Sequence, residues 1–252
     1  MTFKKVLLAA SAVIAMTAAF SGTASARDLL RVGTEPTFAP FEFLDTKSQT
    51  YAGYDMDLIK AVADKAGYDV EIMNMGFDAL IPALSANTID VIASGLSITP
   101  ERSKKVDFTT PYYTSGLSYL IRKNDAGTIK SFADLTGKRL AVQIGTTGAA
   151  YAKNVKDAKV SAFNTTDQAF MDLNAMNSDA VVLDRPVLAY FLKTKPRVAK
   201  NLTLSSEVAD AEEFGFAVKK GNQALLQKLN AALDELKKSG EFEKIHGKWF
   251  AQ

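Results

Sequence analysis

The chain has 252 residues, 47% of them hydrophobic, which is enough for one large domain or for two smaller ones with a core each. It has no cysteine and a single histidine, which excludes a disulfide framework and a lipid-carrying cysteine and argues against a metal centre. With 30 Lys and Arg against 28 Asp and Glu, the balance is too even for a nucleic-acid partner.

At the N-terminus, Lys4 and Lys5, an apolar run over 6–20 and Ala24-Ser25-Ala26 are the three parts of a secretory signal peptide, 1–26, with cleavage after Ala26. A membrane anchor is the competing reading, but the run is short and nothing comparable follows it. Removing Lys4 and Lys5 takes the formal charge from +2 to about zero. From Arg27, a buried-strand pattern over 29–33 leads into a loop, 34–41, where Pro36 and Pro40 stand among Thr34, Glu35 and Thr37. Leu58, Ile59, Val62, Ala63 and Ala66 predict a helix over 55–66 with Gly67 as its C-cap. A strand over 70–73 and a helix over 78–86 follow, with Pro82 tolerable only in the first turn or at a kink.

A strand over 89–93 then feeds the segment 94–113, SGLSITPERSKKVDFTTPYY. Ser94, Gly95 and Ser97 make a donor-rich loop, Thr99 suits a helix N-cap and Pro100 the first helical position, which puts Arg102 in the first turn. Backbone N–H groups, a serine hydroxyl and a guanidinium within a few residues can hold a planar anion such as a carboxylate. An ordinary cap with a surface arginine is the competing reading.

After Tyr113 the pattern restarts. Strands are expected at 117–122, 138–143, 160–163, 180–183 and 215–218. Helices are expected from Gly145-Thr146-Thr147-Gly148 to about 155, over 167–176, from Asp184-Arg185-Pro186 to about 193 and over 222–238, before a last amphipathic segment carrying Phe242, Ile245, Trp249 and Phe250. Strands and helices alternate, so the expected class is α/β, with a parallel-rich sheet in the first half and a second α/β unit after it. His246, the single histidine, is expected on a solvated helix face.

The segments TFAPFEF, GYDMDL, MGFDALIPAL, SGLSITPERSKKVDFTTPYY, GTT after a strand, and DAVVLDRP together resemble the polar amino-acid-binding periplasmic receptors of ABC importers, the solute-binding proteins of family 3 that include glutamine, arginine and lysine receptors. The motifs come in the family's order over essentially the whole mature chain. The resemblance implies the two-lobed type II periplasmic-binding-protein fold, two Rossmann-like lobes joined by two crossing strands with the ligand between them. Lobe I would take 27–112 and 215–252, lobe II 117–209, and the hinges would lie at about 113–116 and 210–214. Ligands of open α/β sheets bind beyond the carboxyl ends of strands, where each of these motifs lies.

By the same resemblance, Arg102 would pair with the ligand α-carboxylate, helped by Gly95, Ser97 and Thr147, Ser94 and Thr146 would belong to the ligand-binding set, and Asp184 would accept the ammonium. A plain helix N-cap is the competing role for Asp184. Phe38 and Phe77 would wall the aliphatic part of the ligand, although ordinary core packing would explain either alone. Glu35 and Gln143 would meet the side-chain end. Glutamine receptors of the family typically have aspartate and lysine at these two positions, so the ligand stays open between arginine or lysine and glutamine. The implied protein is a periplasmic monomer that uses no cofactor and hands its amino acid to a membrane permease. The rival is an enzyme on the same fold, such as a dehydratase of prephenate-like acids, which would need a general acid or base in the cleft.

Overall fold

The computed structural model describes residues 27–250; the expected signal segment, 1–26, lies outside the described residues. The first half holds strands β1 (Asp28–Thr34), β2 (Thr37–Phe38), β3 (Glu42–Asp45) and β4 (Thr50–Ala52), helix α1 (Tyr54–Ala66), strand β5 (Tyr68–Asn74), helix α2 (Leu80–Ser85), strand β6 (Val91–Ile92), helix α3 (Pro100–Ser103) and strand β7 (Val106–Phe108). A ten-residue strand, β8 (Tyr113–Arg122), leads into β9 (Arg139–Gln143), α4 (Thr147–Asn154), β10 (Lys159–Phe163), α5 (Thr166–Asn174), β11 (Ala180–Asp184), α6 (Arg185–Thr194) and β12 (Leu202–Leu204). Strand β13 (Ala209–Phe214) leads back to β14 (Ala217–Lys219), α7 (Gln223–Ser239) and α8 (Glu241–Phe250).

Two sheets form the lobes. The first has the order β5-β1-β6-β14-β7, so its fourth strand comes from the C-terminal part of the chain. The second has the order β10-β9-β11-β8-β12. Between them, β8 and β13 run antiparallel with Tyr113 opposite Phe214, Thr114 opposite Glu213 and Ser115 opposite Glu212. The two connections are therefore one paired ribbon, which limits how the lobes can move relative to each other.

Helix α1 forms where its apolar spacing required it: Leu58, Ile59, Val62 and Ala63 are fully buried, and Gly67 closes it at φ 86°, a left-handed value that glycine adopts without steric cost. The buried face of α7, with Leu225, Leu229, Ala232, Leu233 and Leu236, joins the same core as α1. The expected helix over 78–86 divides into a tight turn, Phe77–Ala79, and α2, whose third residue is Pro82. There the missing N–H lies in the first turn, where no intrahelical partner is lost. The strand expected over 89–93 is paired only at Val91–Ile92.

His246 departs from expectation. It is half-buried rather than solvated, with its ring centroid 5.7 Å from that of Tyr54 and 4.9 Å from that of Phe250. Phe242 and Phe250, half-buried themselves, lie four residues to either side on α8, so the helix face that packs them carries His246 onto the same aromatic cluster.

Candidate functional site

Four strand ends from the two sheets meet at the cleft: β1 ends before Glu35, β6 before Ser94, β9 at Gln143 and β11 at Asp184. Thr99 accepts a hydrogen bond from the Arg102 amide at 3.2 Å as the N-cap of α3, with Pro100 at N1. This cap fixes the start of a helix too short to hold itself, and it directs Arg102 across the cleft. The guanidinium donates from Nη1 to the Ser97 carbonyl at 2.9 Å and from Nη2 to the Gly145 carbonyl of the other lobe at 3.0 Å. It also lies 5.5 Å from the Phe77 ring centroid, a cation–π contact. Burial pushes the guanidinium pKa down, and the nearby Glu212 and Asp184 carboxylates oppose that shift.

A second group of bonds surrounds Glu35, which is buried at 5% exposure. Its Oε2 accepts from Thr37 Oγ1 at 2.7 Å and, across the cleft, from Gln143 Nε2 at 2.7 Å. Thr166, the first residue of α5, closes on the same loop, its amide donating to Thr37 Oγ1 at 3.1 Å and its hydroxyl to the Thr37 carbonyl. Burial pushes Glu35 above the usual carboxylate range, while the Thr37 and Gln143 donors pull it back. Gln143 keeps its Oε1 buried without a hydrogen-bond partner.

Asp184 stands at the N-cap position of α6 but caps nothing; its Oδ1 accepts from Ser115 Oγ at 2.7 Å. Burial first, then the Glu212 charge, raises its pKa from 3.8 to about 7. Thr147, at the start of α4, donates to Glu212 Oε2 at 2.9 Å, and Ser97 Oγ donates to the same oxygen at 2.5 Å.

Several expected residues turn their polar groups inward instead. Ser94 Oγ accepts from the Glu35 amide at 3.0 Å and donates to Glu42 at 3.1 Å. Gly95 donates its N–H to Asp55 at 2.8 Å, and the Thr146 hydroxyl caps α4 by accepting from the Ala149 amide. Gly95 also adopts φ +50°, and a Cβ there would come within 2.8 Å of the Phe38 ring. Phe38 itself packs at 5.8 Å from Phe41 and 6.5 Å from Phe214, centroid to centroid.

Beneath the loop lie two fully buried acids. Asp55 accepts from Gly95 N–H and from Tyr112 OH at 2.6 Å, and burial raises its pKa to about 6. Glu42 is raised well above its ordinary value by burial and by the Asp55 charge. Asp55→Ala is expected to lower stability by about 2 kcal/mol, because it leaves the Gly95 donor and the Tyr112 hydroxyl buried and unpaired. Urea unfolding checks this, and an unchanged midpoint would contradict it.

A cavity of about 880 Å³ opens beside Glu35, lined also by Thr37, Asn74, Asn164, Asp167 and Tyr190. Arg102, Thr147 and Asp184 do not line it; their polar groups are held by the Gly145 carbonyl, Glu212 and Ser115. The arrangement can hold an anion beside Arg102 and a cation beside Asp184 or Glu35. Among the described residues, no group of three or more His, Asp or Glu could hold a metal ion.

Glu212, Ser115 and Thr166 were not singled out by sequence reasoning, and Thr37 only as a member of the loop 34–41. For Glu212 a signal existed: it lies two residues before Phe214 in a strand, hence on the same face, and Phe214 faces Phe38. Ser115 and Thr166 are single hydroxyls and carry no pattern of their own.

A sequence profile described as bacterial extracellular solute-binding proteins, family 3, matches residues 30–252. The chain is 37% identical over 254 residues to the ABC transporter arginine-binding protein 1 of Escherichia coli K12, covering 99% of this chain and 100% of that one. It is similar to the solved structure of an ancestral arginine-binding protein bound to arginine, with 42% identity, TM-score 0.85, and coverage of 89% of this chain and 99% of that one. It is also similar to an ancestral arginine-binding protein bound to glutamine, with 42% identity, TM-score 0.83, and coverage of 90% and 100%.

Proposed function

The chain belongs to the bacterial extracellular solute-binding proteins of family 3, and from that premise we propose that its cleft captures a cationic amino acid, arginine before lysine, for an ABC importer. The protein is an amino-acid-binding receptor of ABC transport and not an enzyme, in keeping with its named relatives. Its place of action is the periplasm, its partner a membrane permease, and its working form a monomer.

In this reading Arg102, with the Ser97 and Thr147 hydroxyls, takes the α-carboxylate. Asp184 takes the ammonium, and Phe77 and Phe38 bound the aliphatic part. Glu35 and the open Oε1 of Gln143 accept from the guanidinium. The observation that carries the reading is the excess of acids: Glu212 and Asp184 both act on the one guanidinium of Arg102, and Glu35, buried at the other end of the site, has another carboxylate, Asp167, as the charge acting on it. A ligand with a net positive charge reduces the repulsion among them, and an acidic ligand adds to it.

Glutamine is the second reading. Its amide could donate to Glu35 and accept from Gln143, and one of the similar ancestral proteins is bound to glutamine. Thermal-shift measurements with the twenty amino acids test the proposal. Arginine is expected to give the largest stabilisation, and a largest shift with aspartate, glutamate or a purely aliphatic amino acid would contradict it.

A further inference from the structure

We propose that Glu212 is an internal competitor for the ligand carboxylate, and that it sets how strongly the cleft prefers amino acids to amines lacking that group. The inference rests on the proposed carboxylate site. Ser97 Oγ and Thr147 Oγ1 both donate to one oxygen, Glu212 Oε2, at 2.5 and 2.9 Å. A hydroxyl has one proton to donate. A ligand carboxylate that takes either proton therefore breaks that bond to Glu212, and one that takes both leaves Glu212 without a hydroxyl partner.

The placement of Glu212 gives this exchange its effect. Ser97 belongs to the loop after β6 and Thr147 opens α4, so Glu212 accepts from both lobes at once, as a ligand carboxylate between the lobes would. Its strand, β13, is the second connection, where Glu212 stands opposite Ser115, the hydroxyl that holds Asp184. Arg102 lies close enough for Glu212 to be the larger of the two charges acting on it. Glu212 thus sits at the anion end of the cleft with a cation beside it and a hydroxyl from each lobe upon it. An amine without a carboxylate leaves this arrangement in place. An amino acid must exchange its own carboxylate for that of Glu212.

The test is calorimetric titration of arginine and of agmatine, its decarboxylated analogue, into the wild type, Glu212→Ala and Glu212→Gln. Both ligands have the same guanidinium and amine, so a general loss of attraction for cations cancels in the ratio of their affinities. The arginine-to-agmatine ratio is expected to rise about tenfold in Glu212→Ala, the effect of one charge-assisted hydrogen bond, and to rise less in Glu212→Gln, whose amide oxygen still accepts. An unchanged or lower ratio would overturn the inference. If agmatine binds too weakly to measure, arginine methyl ester, which keeps the guanidinium and amine and loses the carboxylate charge, takes its place in the ratio, with the same outcomes. A ratio that stays constant while Arg102→Ala loses arginine overturns this inference alone, whereas arginine binding that survives Arg102→Ala overturns the carboxylate site beneath it.

Discussion

Arg102→Ala is expected to weaken arginine binding by about 3 kcal/mol or more, roughly a hundredfold or beyond. The size follows from partial desolvation. The guanidinium is half-buried and its pKa is pushed down, and a carboxylate placed against it between the lobes has less water to replace the charge once that charge is removed. The cross-lobe bond from Nη2 to the Gly145 carbonyl is lost as well, which makes the closed arrangement harder to reach. Folding should survive. The N-cap bond of α3 uses the Arg102 amide and the Thr99 hydroxyl, and neither is removed by the substitution. Calorimetry gives the affinity and circular dichroism confirms the fold; near-normal affinity would remove Arg102 from the carboxylate site.

Asp184→Asn is expected to cost about 2 kcal/mol or more in arginine affinity, since the ammonium then meets a neutral amide in a buried site. The same substitution should remove a pH dependence. With its pKa raised from 3.8 to about 7, Asp184 is increasingly protonated below neutrality, and the ammonium favours the ionised form. Arginine binding to the wild type should therefore release a proton and weaken as pH falls through about 7, by up to roughly tenfold per unit at the limit of one proton. The stability of the ligand-free protein runs the other way. The folded chain holds this proton more tightly than the unfolded chain between about 4 and 7, so the contribution of Asp184 declines as pH rises through that window. Asp55, raised by burial from 3.8 to about 6, has the same sign over a narrower window, so Asp184→Asn should flatten the stability profile without levelling it. Binding that is independent of pH in the wild type, or an unaltered profile in the variant, would contradict this account.

The α/β class and most helices were legible because their apolar residues repeat with the period of the element. Leu58, Ile59, Val62 and Ala63 mark α1 by their spacing alone, and Gly67 marks its end. Strand β13 was legible only through the family resemblance, which places a crossing strand at about 210–214, because its sequence, Ala-Asp-Ala-Glu-Glu-Phe, has no hydrophobic run of its own; it is a strand because β8 supplies its hydrogen bonds. The sheet β2-β3-β4 was hidden for a related reason, its strands being only two to four residues long.

At the site, residue type was easier to read than direction. A serine, a glycine and a threonine near Arg102 all looked like ligand donors, yet Ser94, Gly95 and Thr146 have their hydrogen bonds satisfied within the protein. Asp55 and Glu42 supply two of those partners from segments about 40 and 50 residues earlier, a pairing that exists only once β1 and β6 lie side by side. Which donors remain directed at the cleft is a property of this tertiary packing, and local sequence does not contain it.

The most direct test of the account is a crystal structure of the mature protein with arginine bound. The α-carboxylate is expected within hydrogen-bond distance of the Arg102 guanidinium and the Thr147 hydroxyl, the ammonium on Asp184, the guanidinium between Glu35 and Gln143, and Glu212 turned off the Ser97 and Thr147 hydroxyls. An arginine bound with its guanidinium at Asp184 and its carboxylate remote from Arg102, or one seated wholly outside the space between the lobes, would contradict it.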